Sequence, residues 1–218
     1  MVAACESDAG QREQSLKRLG ILLSGRGSNF VAIAEAIREQ RLVDAEIAVV
    51  LSNTPDAAGL KVAQEIGLAA FAIPSAGRKR AGHDAEMVAT LNEHRVDLVC
   101  LAGYMRILTV DFVRAFPNRI LNVHPSLLPA FPGLEAQAQA LAFGAKVAGC
   151  TVHFVDEAVD HGAIVLQRAV PVLDEDTAES LSARVLEQEH IAYPEAIARV
   201  LSGDFCFSGR RYVRRAGG

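Results

Sequence analysis

The chain has 218 residues, 50% of them hydrophobic, enough for one large core and no more than two domains, and a single domain is expected. Its formal net charge of −4 supplies no basic field for a nucleic-acid backbone or an anionic membrane surface, so neither is expected as a partner. Four cysteines, Cys5, Cys100, Cys150 and Cys206, lie far apart with no C-x-x-C pair, the pattern of thiols in a reducing compartment and hence of a cytoplasmic protein.

Residues 1–17 lack the basic start and apolar run of a signal peptide and read as a polar, disordered extension, and no stretch approaches membrane-spanning length. From Lys17 onward strands alternate with helices, which argues for an α/β fold with a parallel sheet covered on both faces. Ile21-Leu22-Leu23 is the first strand, and Ser24-Gly25-Arg26-Gly27-Ser28-Asn29 turns into an amphipathic helix carrying Phe30, Ile33, Ala34 and Ile37. Glycines there let the backbone approach a ligand and free N–H groups at the helix start attract an anion, so a phosphate site is expected; the alternative is a tight turn and nothing more. A dinucleotide is disfavoured, because Phe30 stands where the third glycine of G-x-G-x-x-G belongs and the second strand, 45–51, ends in Ser52-Asn53 rather than an acid.

A helix over 56–66 and a strand over 69–73 lead to a loop, 77–82, whose three consecutive basic residues read as solvated. A helix reaching His94 precedes the apolar strand 98–102. Gly103 at that strand's end lets a flat ligand lie close, and residues 105–108 offer an apolar wall with one guanidinium, or else core packing at a helix start. The run Ile120-Leu121-Asn122-Val123 reads as a buried parallel strand that breaks at His124-Pro125 into a loop with Pro129, Pro132 and Gly133. Side chains two apart on a strand share a face, so Asn122 and His124 project together at a carboxyl end, where open α/β sheets bind ligands. An amide and an imidazole side by side can hold a carbonyl oxygen and move a proton; equally, Asn122 could cap a turn and His124 pack under the proline loop.

Residues 134–143 read as a short helix, and 150–155 and 163–170 as two strands joined by an acidic loop into a hairpin-like antiparallel edge. Asp160 is one of three acids in that loop, and sequence alone does not single it out. His153, mid-strand, reads as a core or supporting histidine, whereas His83, His94 and His190 fall on helices and are expected at the surface. A long helix, 177–201, places Leu181, Val185, Ile191, Ile197 and Val200 on apolar positions, and residues 204–218 form a basic tail. The histidines show no H-x-H or H-E-x-x-H spacing, so no metal is expected, and there is no G-x-S-x-G.

Taken together, ILLSGRGSN, LAGYMRIL, NVHPSLLPAFPG, TVHFVDEAVDHGAIVLQ and QEHIAYP resemble the glycinamide ribonucleotide formyltransferases, in that family's order and spacing over residues 18–203. The resemblance implies one formyltransferase domain with a Rossmann-like, mostly parallel sheet, helices on both faces and an antiparallel edge in its C-terminal part. It also implies transfer of a formyl group from 10-formyltetrahydrofolate to the amine of glycinamide ribonucleotide in purine biosynthesis, with small-molecule partners only and a monomer or homodimer. The family's catalytic residues fall on Asn122, His124 and Asp160, its substrate residues on Gly27, Ser28, Asn29 and Glu189, and its folate residues on Arg80, Met105, Arg106, Ile107, Leu108 and Asn122. Asp160, if close to His124, favours its charged form.

Two departures stand out: Glu135-Ala136-Gln137 replaces the histidine or other polar residue usual after Pro132-Gly133-Leu134, and His161 replaces a glycine after Asp160, where a side chain could alter the loop's conformation. The alternatives are a related formyltransferase or formyltetrahydrofolate hydrolase acting on another acceptor, which would call for further domains, or a nucleotide-sensing binder, which would not need the complete Asn, His and Asp set.

Overall fold

The computed structural model describes residues 16–216; the extension expected over 1–17 lies almost entirely outside them, as do residues 217–218 of the tail. The first strand, β1 (Lys17–Leu23), alternates: Leu19, Ile21 and Leu23 enter one core and Leu22 the other. Gly20 is required by close packing, since a Cβ there would lie 2.5 Å from Leu91 Cδ2. Helix α1 (Ser28–Arg38), strand β2 (Ala45–Ser52), helix α2 (Ala58–Glu65), strand β3 (Ala70–Ala72), helix α3 (Arg80–Glu93) and strand β4 (Leu98–Leu101) follow in the expected alternation. Then come α4 (Val110–Ala115), β5 (Ile120–His124), α5 (Ala136–Phe143), β6 (Val147–Phe154), β7 (Ile164–Pro171) and α6 (Ala178–Leu201).

One sheet takes the order β3-β2-β1-β4-β5-β6-β7. It is parallel through β5, and β6 and β7 are antiparallel, the edge expected from sequence. One core packs α1 and α6 against the sheet through Phe30, Ile33, Val185, Tyr193 and Ile197; the opposite core holds Met87, Leu91, Phe112 and Phe116. Tyr193 on α6, fully buried, places its hydroxyl 3.1 Å from Leu101 O and 2.9 Å from Leu121 O, bridging the ends of β4 and β5.

Three sequence expectations are corrected. The stretch read as a tail forms a second antiparallel pair, β8 (Phe205–Ser208) and β9 (Arg211–Arg214), whose Phe207 and Tyr212 meet the buried Phe154 in a tilted and an edge-on contact. His83 is fully buried rather than at the surface, because its ring bonds to Ile73 O and Asp84. Ile191, assigned to the apolar stripe of α6, is 48% exposed. In addition, Thr109 caps the short helix α4, its side chain accepting from Phe112 N.

Candidate active site

On β5, Leu121 and Val123 face the α6 core while Ile120 packs with Phe112 and Phe116. The Ile120 face continues, two residues at a time, as Asn122 and His124, so one face of a single strand turns from apolar to polar towards its carboxyl end. His124 is 5% exposed and held from both sides: Nε2 lies 2.9 Å from Phe131 O and Nδ1 lies 3.3 Å from Asp160 Oδ2. Each neighbour accepts and neither donates, and a doubly protonated ring satisfies both.

Asp160 comes from the loop after β6, which crosses this face of the sheet. Its backbone is left-handed, φ 51°, and its Oδ2 also accepts the Gly133 N–H at 2.8 Å. Gly162 is obligatory, because a Cβ there would lie 1.9 Å from Phe154 O. His161 therefore occupies the one of these two positions that tolerates a side chain. It sits 2.7 Å from Asp156 Oδ2 through Nδ1, and Arg210 Nη2 donates to its carbonyl at 2.7 Å. The β8–β9 pair thus reaches the loop that carries Asp160 and walls a cavity of about 390 Å³ lined by Leu128, Pro129, Asp160, His161 and Tyr212.

His153 on β6 stands opposite Asn122 in the ladder. Its Nδ1 lies 2.8 Å from Phe154 O, a carbonyl that only accepts, so Nδ1 carries the proton. Burial pulls His153 below the ordinary histidine range and favours the neutral ring, whose Nε2 then accepts from Asn122 Nδ2 at 3.2 Å. This fixes the amide: Nδ2 points to His153, with its second hydrogen available. Nε2 is also 3.7 Å from Asp160 Oδ1, so the carboxylate lies between two imidazoles.

The turn before α1 leaves the helix start open. Gly27, at φ 72°, caps the helix without a side-chain bond, and no acid occupies the first turn, which leaves the first N–H groups of Ser28, Asn29 and Phe30 outside the helical ladder. Gly27 has a second duty, since a Cβ would come 3.1 Å from the Gly59 Cα of α2. Asn29 Nδ2 donates to Glu189 Oε2 on α6 at 2.7 Å, both side chains being buried. Burial raises Glu189 above the ordinary carboxylate range, with the Asn29 bond opposing it, while Asn29 Oδ1 is buried with no partner in the chain.

Between β4 and α4, residues 105–108 form an irregular strap, tied to the first turn where Met105 N donates to Ser24 Oγ at 2.8 Å. Met105 is 76% and Ile107 58% exposed, whereas Arg106 and Leu108 are half-buried and Arg106 Nε is buried with no partner. Arg80, the first residue of α3, is exposed, and its helix joins the strap where Thr109 N donates to Asp84 Oδ2 at 2.7 Å. Among the described residues no group of three or more His, Cys, Asp or Glu could hold a metal ion, and no helix is long and apolar enough to cross a membrane.

An oriented amide, an imidazole and a carboxylate thus meet where the parallel strands give way to antiparallel ones, an arrangement able to stabilise a developing oxyanion and to move a proton, as group transfer requires. The chain belongs to the formyl transferase family, which its residues 17–197 match. It is 38% identical to the phosphoribosylglycinamide formyltransferase of Bacillus subtilis over 85% of this chain and 95% of that one. It is 46% identical to the trifunctional purine biosynthetic protein adenosine-3 of Drosophila melanogaster over 87% of this chain, which spans 14% of that relative's length. The crystal structure of glycinamide ribonucleotide transformylase 1 from Symbiobacterium toebii superposes with a TM-score of 0.90 at 49% identity, covering 95% of this chain and 99% of the other.

Proposed function

We propose that the chain transfers the formyl group of 10-formyltetrahydrofolate to the amine of glycinamide ribonucleotide, giving formylglycinamide ribonucleotide and tetrahydrofolate in purine biosynthesis. The observation that carries this reading is the convergence of half-buried Asn122 and Asp160 with buried His124 through His153, with His124 Nδ1 3.3 Å from Asp160 Oδ2. The start of α1, with Gly27, Ser28 and Asn29, takes the substrate phosphate. That places the substrate amine towards Glu189, whose raised affinity for a proton suits it to hold or accept one from an ammonium.

The strap and Arg80 take the folate: Met105 and Ile107 supply exposed apolar surface, and Arg106 supplies a guanidinium nitrogen that the chain itself leaves without a partner. Asn122, with its free amide hydrogen, and His124 converge on the formyl oxygen. As the amine attacks the formyl carbon, that oxygen takes up negative charge, which the Asn122 N–H and the His124 imidazolium stabilise. Collapse re-forms the carbonyl and breaks the bond to the folate nitrogen, which receives a proton from His124, while the attacking nitrogen gives its extra proton to the Glu189 carboxylate. Asp160 holds His124 in register and balances its charge. His124 Nε2 must leave Phe131 O to serve the oxygen, and Phe131 is itself in the left-handed region, φ 51°, a contact suited to being exchanged.

The setting we propose is cytoplasmic, supported by the buried thiols Cys100 and Cys150, with a single domain acting on small molecules as monomer or homodimer. The test is a spectrophotometric assay with both substrates, followed by identification of the acceptor product. Formylated glycinamide ribonucleotide is expected; folate release with free formate alone, or no turnover, would overturn the reading.

A further inference from the structure

Beneath the strap lies a buried acid that the proposed chemistry does not use. Asp84 on α3 is 2% exposed and its neighbour His83 is fully buried. The two carboxylate oxygens have different tasks: Oδ2 accepts the Thr109 N–H at 2.7 Å, and Oδ1 faces His83 Nδ1 at 3.2 Å. His83 Nε2 in turn lies 2.8 Å from Ile73 O, at the end of the β3 segment. One chain of contacts therefore runs from Ile73 through His83 and Asp84 to Thr109, the residue that ends the strap and caps α4. The hydroxyl of Tyr104, at the strap's other end, is buried without a hydrogen-bond partner and lies in the field of Asp84 and Arg106.

We propose that Asp84 is a positioning residue for the folate co-substrate: by fixing the Thr109 amide it sets the path of residues 105–108, and so the affinity for folate rather than for glycinamide ribonucleotide. The inference rests on reading the strap as the folate contact. What Thr109 takes from this position is an acceptor, and what His83 takes is a hydrogen-bonding partner. An asparagine meets both needs, its Oδ1 accepting from Thr109 N–H and its Nδ2 donating to His83 Nδ1 while His83 Nε2–H donates to Ile73 O. Alanine meets neither and leaves the half-buried Thr109 N–H and the buried His83 ring without their partner, a loss large enough to displace a binding equilibrium by about tenfold.

Asp84→Ala should raise the KM and the calorimetric Kd for the folate about tenfold, while the KM for glycinamide ribonucleotide and kcat change by less than about twofold. Asp84→Asn should restore the folate affinity to near that of the unmodified chain. Should Asp84→Ala fail to fold, Thr109→Pro breaks the same bond from the other side. The backbone of Thr109, at φ −73°, already suits proline, and Thr109→Ala controls for its hydroxyl. A parallel rise in both KM values, a fall in kcat alone, or an asparagine as harmful as alanine would overturn the proposal. If the unmodified chain bound no reduced folate, the reading of the strap would fail instead. Hydrogen exchange then still decides the clamp: protection of the Thr109 amide should be lost in Asp84→Ala and kept in Asp84→Asn, and equal protection in both would refute it.

Discussion

Replacing Asp160 by asparagine keeps the size and one carbonyl oxygen of the side chain but removes a negative charge from the space between two imidazoles. The carboxylate lies 3.3 Å from His124 Nδ1 with its side chain only 10% exposed. At that distance and an effective dielectric of about 20, a unit charge pair is worth about 5 kcal/mol, which bounds what the charge contributes once His124 is cationic in the transition state. Water entering the site and the acceptor that asparagine retains recover part of it. A fall in kcat of about 10² to 10³-fold follows, comparable to the loss of an oxyanion-hole donor. Steady-state kinetics with both substrates saturating measures it, and the Kd for glycinamide ribonucleotide should be little changed. His124→Ala should cost at least as much. Because the carboxylate acts through the imidazole, the His124→Ala, Asp160→Asn double variant should be little worse than the poorer single one. Losses that multiply in the double variant would show Asp160 acting on the substrate directly and would refute the arrangement derived from these distances.

Ser28→Ala should raise the KM for glycinamide ribonucleotide several-fold and leave folate binding unchanged; it is a cleaner probe than Gly27→Val, whose side chain would collide with Gly59, and equal binding of a phosphate-free glycinamide riboside would refute the phosphate assignment. Arg106→Ala should weaken an intact folate more than one lacking its glutamate, as measured by calorimetry; equal losses would remove Arg106 as the carboxylate partner. Glu189, raised by burial, binds its proton more tightly folded than unfolded, so its contribution to stability is complete below its ordinary value of 4.5 and is lost as pH rises through the folded value. Glu189→Gln should therefore raise the Tm of the ligand-free chain at neutral pH but not in acid, while raising the substrate KM; a Tm gain independent of pH would contradict the assignment.

The alternating element pattern made the parallel sheet and its antiparallel edge legible, because buried strands of Val, Ile and Leu bounded by Gly and Pro leave little ambiguity. The shared face of Asn122 and His124 followed from the period of two alone. Asp160 did not: three acids share its loop, and what selects it is a left-handed backbone and a path across the sheet, neither of which has a local signature. His83 was misread because a polar residue on a helix ordinarily faces water, and only the Ile73 carbonyl and Asp84, distant or adjacent in sequence, satisfy it inside. The charge of Arg210, Arg211, Arg214 and Arg215 concealed a hairpin signal in the same stretch. Gly209-Arg210 makes its turn, with Gly209 at φ 59°, between strands that carry Phe205, Phe207 and Tyr212.

The reversal of strand direction at β5 has a kinetic consequence. Asn122 and His124 belong to the parallel part of the sheet, while His153 and Asp160 belong to the antiparallel part laid down later in the chain. A refolding molecule in which only the parallel half had formed would hold the phosphate turn and the strap, yet its histidine would have no carboxylate and its asparagine no orientation. Regain of activity would then trail regain of secondary structure, and the lag would time the docking of β6 onto β5.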